Sequence, residues 1–464
     1  MTPFPMARLF ARPLEIWRSW SVRTRVLAIA GLGLLVAGGA VAGYLALKRP
    51  GDISNPGVGF VEERRREPKP VKTVDWPVYG FDDARTRYLP TERVRPPYDA
   101  SEWSFQAGKL LEFSPIAANG ALYFQDKDAL FRALDAENGK LLWEKEIGDL
   151  AASSPAYSDG RVFAVTLEPG SAVALRAKDG KVLWERPLDA RSETSPVVFG
   201  KSVIVGNESG DVFALDRESG KVRWRVSTAD SVKGGLALKD GILYGANYAG
   251  EVFALRASSG EEVWKSSTSG LSLGRGGPVY STPAVAFGRV YLGSIDGRVY
   301  SFDAESGNVA WSHSTGDWAY PGPAVAETPH SEPTVYIGSK DQNFYALDAQ
   351  TGEVRWQKDV GGIVLGAASV LGEVVYVGVI GPKTGTLGFN VRTGKQVFEN
   401  DLGEYNPVIS DGNRMYLTGS SGIRAFEHET PAERRREAAR RRRVRQREQE
   451  EQPGKGERSH KGQS

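Results

Sequence analysis

A ten-residue pattern that recurs seven times constrains this chain more than any other feature. Residues 134–143 read LDAENGKLLW, 175–184 LRAKDGKVLW, 215–224 LDRESGKVRW and 255–264 LRASSGEEVW. Residues 302–311 read FDAESGNVAW, 347–356 LDAQTGEVRW and 389–398 FNVRTGKQVF. The closing aromatics Trp143, Trp184, Trp224, Trp264, Trp311, Trp356 and Phe398 are spaced by 41, 40, 40, 47, 45 and 42 residues. A period of this length marks a repeat architecture in which no single unit buries its own apolar face.

Each copy reads as a hairpin. An alternating strand such as 211–215 runs into four or five polar residues, and a glycine holds the same place every time, from Gly139 to Gly394. A tight turn ending in the left-handed region needs that residue. A second strand follows and ends on the aromatic. Two further strands precede each copy, as in 195–199 and 202–205, joined by turns such as Asn119-Gly120 and Asp240-Gly241. Four short antiparallel strands per repeat predict an all-β propeller.

Eight innermost strands begin near Ser114, Ser154, Ser195, Gly234, Ser281, Gly322, Gly366 and Asn406. The last blade lacks a fourth strand, and Trp103 stands forty residues before Trp143. The expectation is therefore an eight-bladed propeller closed by an N-terminal strand at 101–105, which leaves no open sheet edge. Trp103 and the seven repeat aromatics are expected to dock blade on blade, since a buried indole covers a large apolar area.

Residues 26–47 carry no charge over 22 positions, enough for a helix of about 33 Å against a hydrocarbon core of about 30 Å. Arg12, Arg18, Arg23 and Arg25 precede it, opposed by Glu15 alone. This bias predicts a single-pass membrane helix with a cytoplasmic segment at 1–25 and the propeller on the extracytoplasmic side. The competing expectation is a signal peptide cut near Ala40-Val41-Ala42. Residues 48–75, rich in proline and charge, read as a linker with little to bury. The propeller is assigned to 76–429 and a basic, largely unstructured tail to 430–464. Residues 434–447 of that tail hold nine arginines. In an exterior compartment they suit anionic lipid or wall polymers better than nucleic acid.

The chain has no cysteine and four histidines, none at metal-ligand spacing. Thiol chemistry, thiolate metal sites and disulfides are excluded, and a zinc site is not expected. No nucleophile elbow or phosphate loop is present. The triplets Asp83-Ala84-Arg85 and Asp189-Ala190-Arg191 carry no specific signal in a chain this charged. Two unusual loops, 266–280 and 317–321, bring Arg275, Tyr280, Asp317, Trp318 and Tyr320 to one sector. These include residue types enriched where proteins bind partners, so they are the candidate partner site.

Residues 345–356, YALDAQTGEVRW, resemble the tryptophan-docking repeat of pyrroloquinoline-quinone (PQQ)-like propellers, and the resemblance covers about 76–428. Residues 76–88 resemble the segment before the first blade of quinoprotein alcohol dehydrogenases. Two functions are compatible with that resemblance. Quinoprotein enzymes hold PQQ with Ca²⁺ on the propeller axis. BamB-like proteins are catalytically inert scaffolds of outer-membrane protein assembly. The adjacent cysteine pair common in the enzymes is missing, and so is the lipidated cysteine of BamB. The expectation is a membrane-anchored, non-catalytic scaffold of the cell envelope that binds protein partners and holds no cofactor; the alternative is a PQQ-dependent oxidoreductase.

Overall fold

The computed structural model describes residues 21–24, 51–67, 73–98, 102–268, 277–382 and 384–428. The expected membrane helix at 26–47, Arg275 and the arginine-rich tail lie outside the described residues. Among the described residues, no helix is long and apolar enough to cross a membrane. The chain divides into two compact units, 1–51 and 52–464. In the first, Ser21 Oγ accepts a hydrogen bond from the Thr24 amide at the start of a short helical turn.

The second unit contains eight sheets, the eight blades of a propeller. In the sixth blade, Ala324–Thr328, Ser331–Gly338, Asn343–Asp348 and Val354–Asp359 pair antiparallel from the axis outward. The repeat motif is the hairpin between the last two strands. Asp348 caps it through its carboxylate, which accepts the Gln350 and Thr351 amides, while its carbonyl accepts the Gly352 amide. A bulge between Ala346 and Leu347 then shifts the register, so that Ala346 faces Trp356 while Leu347 faces Val354. The extra residue re-aims the outer strand, and the indole turns inward between exposed neighbours.

The indoles fasten each blade to the next. Trp311 Nε1 donates to the Ala349 carbonyl at 3.0 Å, and a Cβ built on Gly352 would lie 2.7 Å from the ring. The same pair of contacts joins Trp103 to Ala136 and Gly139, and Trp264 to Ala304 and Gly307. A second-strand tyrosine often shares the acceptor: Tyr291 Oη donates to the Ala349 carbonyl and Tyr416 Oη to that of Ala136.

Ring closure is as the sequence predicts. Trp103–Gln106 pairs antiparallel with Gly422–Glu427, Trp103 opposite Ala425. The seventh blade departs from the pattern in two ways. Tyr88–Leu89 joins its inner strand as a parallel fifth strand. Its closing aromatic is Phe398, which has no N–H to donate. Tyr98 packs edge-on against Phe398, with ring centroids 5.4 Å apart.

The linker expected over 48–75 is corrected in part, because residues 52–66 are docked on the propeller. Ser54 bridges Trp311 antiparallel along the outer edge of the fifth blade, and the Asn55 amide donates to the Ala310 carbonyl. Further on, the Val61 amide donates to the Phe287 carbonyl, Arg65 pairs with Glu327 and Arg66 with Asp82. This strap leaves Trp311 only 1% exposed. Hydropathy misses it because main-chain bonds and ion pairs hold most of the segment, and its apolar contact is limited to a few residues such as Val58 and Phe60, which stacks on Phe287.

Candidate functional site

Residues 74–89 trace a path around the base of the axis and engage every blade. Starting from the eighth, the Val74 amide donates to the Asp411 carbonyl, and Trp76 exchanges two bonds with Ala117 of the first blade. The Tyr157 amide of the second blade donates to the Pro77 carbonyl. Leu238, Val285, Val325 and Val370, in the fourth to seventh blades, donate to the carbonyls of Asp83, Ala84, Thr86 and Arg87. The third blade is reached by a side chain: Arg85 Nη2 donates to the Pro196 carbonyl at 2.9 Å.

Arg85 and Arg87 are wholly buried in this plug. Arg85 also donates to the carbonyls of Tyr79, Leu236 and Ser195. Arg87 donates through Nη1 to the carbonyls of Arg85 and Pro323. Burial pulls Arg85 down to about 10 and lowers Arg87 as well. One of the triplets that carried no signal in the sequence therefore contains the residue that pins the plug to the ring. The one sequence feature there, two arginines at alternate positions just before the repeats, does not separate them from surface charge.

Above the plug the axis opens into a funnel of about 340 Å³. Its walls are the residues that lead into the inner strands, and Tyr79 of the plug is its floor. Among the described residues, the plug seals one end of the axis and the other end is open. Tyr280 and Tyr320, from the loops before the fifth and sixth inner strands, stack at 4.5 Å and 16°. Tyr280 Oη donates to Glu193 Oε2 at 2.9 Å. Glu193 also meets Lys233 at 3.0 Å, and Lys233 reaches Glu208 at 2.7 Å while lying over the Tyr248 ring. At the mouth, Lys340 sits 4.2 Å from the centroid of Trp318.

Three of the five residues proposed from sequence, Tyr280, Trp318 and Tyr320, line this funnel. Asp317 caps its own loop instead, with its carboxylate on the Trp318 amide and its carbonyl accepting from Thr315 and Ser339. Sequence reasoning missed Glu112, Glu193, Lys233, Tyr405 and Asn406, which come from four other blades. Trp318 and Tyr405 are the exposed large aromatics among the described residues, and both stand here. Burial raises Glu193 above the ordinary carboxylate range despite Lys233, and partial desolvation by the funnel wall followed by the nearby Glu193 charge raises the more exposed Glu112. Burial also holds the Tyr280 and Tyr320 hydroxyls protonated well above their ordinary range.

The family model described as outer membrane protein assembly factor BamB matches residues 93–231 and 209–430. A 118-residue stretch is 32% identical to the 1-butanol dehydrogenase (cytochrome c) of Thauera butanivorans, covering 22% of this chain and only 17% of that enzyme. Among solved structures, BamB from Moraxella catarrhalis superposes with a TM-score of 0.60 at 19% identity, over 71% of this chain and 99% of its own. A europium-containing methanol dehydrogenase superposes with a TM-score of 0.64 at 14% identity, over 77% and 98%. At these identities the likeness is one of fold, and fold does not choose between scaffold and enzyme.

The funnel's own residues bear on that choice. A quinone carrying carboxylates, held with a divalent cation, requires free cationic donors and free oxygen ligands on one axis. Here Arg85 is committed to main-chain carbonyls and Glu193 is engaged by Lys233 and Tyr280, whereas Arg87 Nε and Nη2 and Asn406 Oδ1 are buried without a partner and Glu112 forms no ion pair among the described residues. No three His, Asp or Glu converge among the described residues.

Proposed function

The chain belongs to the PQQ-like propeller family whose model is described as outer membrane protein assembly factor BamB, and from that premise we propose that it is a non-catalytic scaffold holding a protein partner at the cell envelope. The observation that carries this reading is the placement of Trp318 and Tyr405. Two exposed aromatics flank the open end of an axis whose other end is plugged. Aromatic side chains around a small concave pocket are the usual anchors of protein recognition. The apolar, charge-free run at 26–47 supports a single-pass anchor with the propeller outside the cytoplasm.

Photo-crosslinking from position 318 or 405 of the full chain in native membranes tests the reading. The expected result is one or a few specific protein adducts, lost when the crosslinker is moved to the outer-edge position 142. Adducts indistinguishable between these positions overturn it. Resistance of the chain to alkaline extraction from membranes checks the anchor.

The stretch shared with the butanol dehydrogenase favours a second reading, a PQQ-dependent oxidoreductase. Loading with PQQ and Ca²⁺ followed by dye reduction with primary alcohols decides it. Turnover supports the enzyme, and its absence under saturating cofactor supports the scaffold.

A further inference from the structure

We propose that the funnel is a receptor for one cationic side chain, an arginine or lysine presented by the partner; this rests on reading the funnel end as the partner face. Three independent features of the cavity call for a guest that donates hydrogen bonds and carries positive charge. The first is a carboxylate outside any ion pair, since Lys127 is near enough to Glu112 to act on its charge but forms no ion pair with it. Glu112 and Glu193 line the same 340 Å³ cavity, and only Glu193 is paired, with Lys233. The repulsion between the two acids is relieved by a second cation lodged between them.

The second feature is an orphan acceptor. Asn406 is 3% exposed, donates through Nδ2 to the Leu111 carbonyl, and leaves Oδ1 buried with no partner. A buried acceptor of this kind is rare unless something supplies a donor. Asn406 lines the funnel and is bonded to the residue next to Glu112, so the two acceptors belong to one wall. Arginine and lysine side chains offer only donors.

The third feature is the aromatic surface. Tyr280 and Tyr320 stack, Tyr248 meets Tyr280 edge-on, and Trp318 and Tyr405 stand at the mouth. Ring faces attract cations, and the funnel already uses them in this way: Lys233 lies over Tyr248 and Lys340 over Trp318. A neutral sugar would use the ring faces but would leave the Glu112 charge unanswered. The volume suits one long side chain, not a folded segment.

The test is calorimetric titration of the full-length chain with the blocked tripeptide Ac-Gly-Arg-Gly-NH₂, its lysine counterpart, and the neutral isostere with citrulline. Saturable binding of the arginine or lysine peptide in the millimolar range or tighter is expected, with citrulline at least about tenfold weaker. Glu112→Gln, on a solvated wall, is expected to weaken the cationic peptide about fivefold or more while leaving the melting temperature unchanged or higher. Equal binding of citrulline, saturation by a neutral disaccharide in place of the cation, an unchanged Glu112→Gln variant, or no saturation at about 20 mM peptide each overturns the proposal. Photo-crosslinking from position 318 reads separately: specific adducts with no cation binding would leave the partner face standing and remove the cationic guest.

Discussion

The hydroxyls of Tyr98 and Tyr376 lie 2.6 Å apart at the seam between the seventh and eighth blades. Elsewhere the second-strand tyrosine donates to a carbonyl that the neighbouring indole also uses. At this seam the indole is replaced by Phe398, and the eighth blade has no covalent hairpin to offer a carbonyl. Tyr98, reaching in from the segment before the closing strand, supplies the missing partner. Both hydroxyls are buried, which holds them protonated far above their ordinary range.

Tyr98→Phe therefore leaves the Tyr376 hydroxyl buried and unpaired. The expected loss is about 1–3 kcal/mol, read by chemical denaturation. Adding Tyr376→Phe removes both polar groups and is expected to recover most of that loss. An additive double variant would contradict the pairing.

Gly352 and Gly160 share a left-handed backbone, with φ of 77° and 75°. A Cβ at Gly160 meets nothing within 4 Å, whereas one at Gly352 lies 2.7 Å from the Trp311 ring. Gly160→Ala is expected to cost about 1–2 kcal/mol from backbone strain alone. Gly352→Ala is expected to cost about 1–3 kcal/mol more, because the indole must move. Equal melting temperatures for the two variants would remove the docking role of the glycine.

The plug depends on Arg85. Arg85→Met strands the carbonyls of Tyr79, Leu236, Ser195 and Pro196 in the interior, a loss of at least about 3 kcal/mol. Arg85→Lys is expected to recover little of it, since one ammonium cannot span a planar fork's directions. Hydrogen exchange at the Leu238 and Val285 amides, which donate to Asp83 and Ala84, should accelerate in both variants.

Glu112 and Glu193 hold their protons more tightly in the fold than the ordinary value of 4.5. Their contribution to stability is thus fully present below about pH 4.5 and is lost as pH rises through the raised values. Glu112→Gln removes one such group. Its stability profile is expected to be flatter above pH 4.5, and at pH 7 the variant is expected to be no less stable than the parent. Binding of a cationic peptide to the parent should strengthen over the same interval as the acids ionise. A Glu112→Gln variant markedly less stable at pH 7 would contradict this.

What the sequence determined by itself was everything that repeats. Each blade is a local chain of hairpins, so strand alternation, turn glycines and the closing aromatic reappear every forty residues or so, and they fix eight blades, the indole seams and closure at Trp103. Tyr280, Trp318 and Tyr320 were legible as a group only because their loops break that period. Tertiary structure decided whatever occurs once. Arg85 meets Pro196 across 111 positions and Tyr98 meets Tyr376 across 278; the funnel wall gathers Glu112, Glu193 and Asn406 from three blades. Such contacts carry no period, and a buried arginine or an unpaired glutamate has the same letter as one on the surface. Only the closing of the ring brings them together.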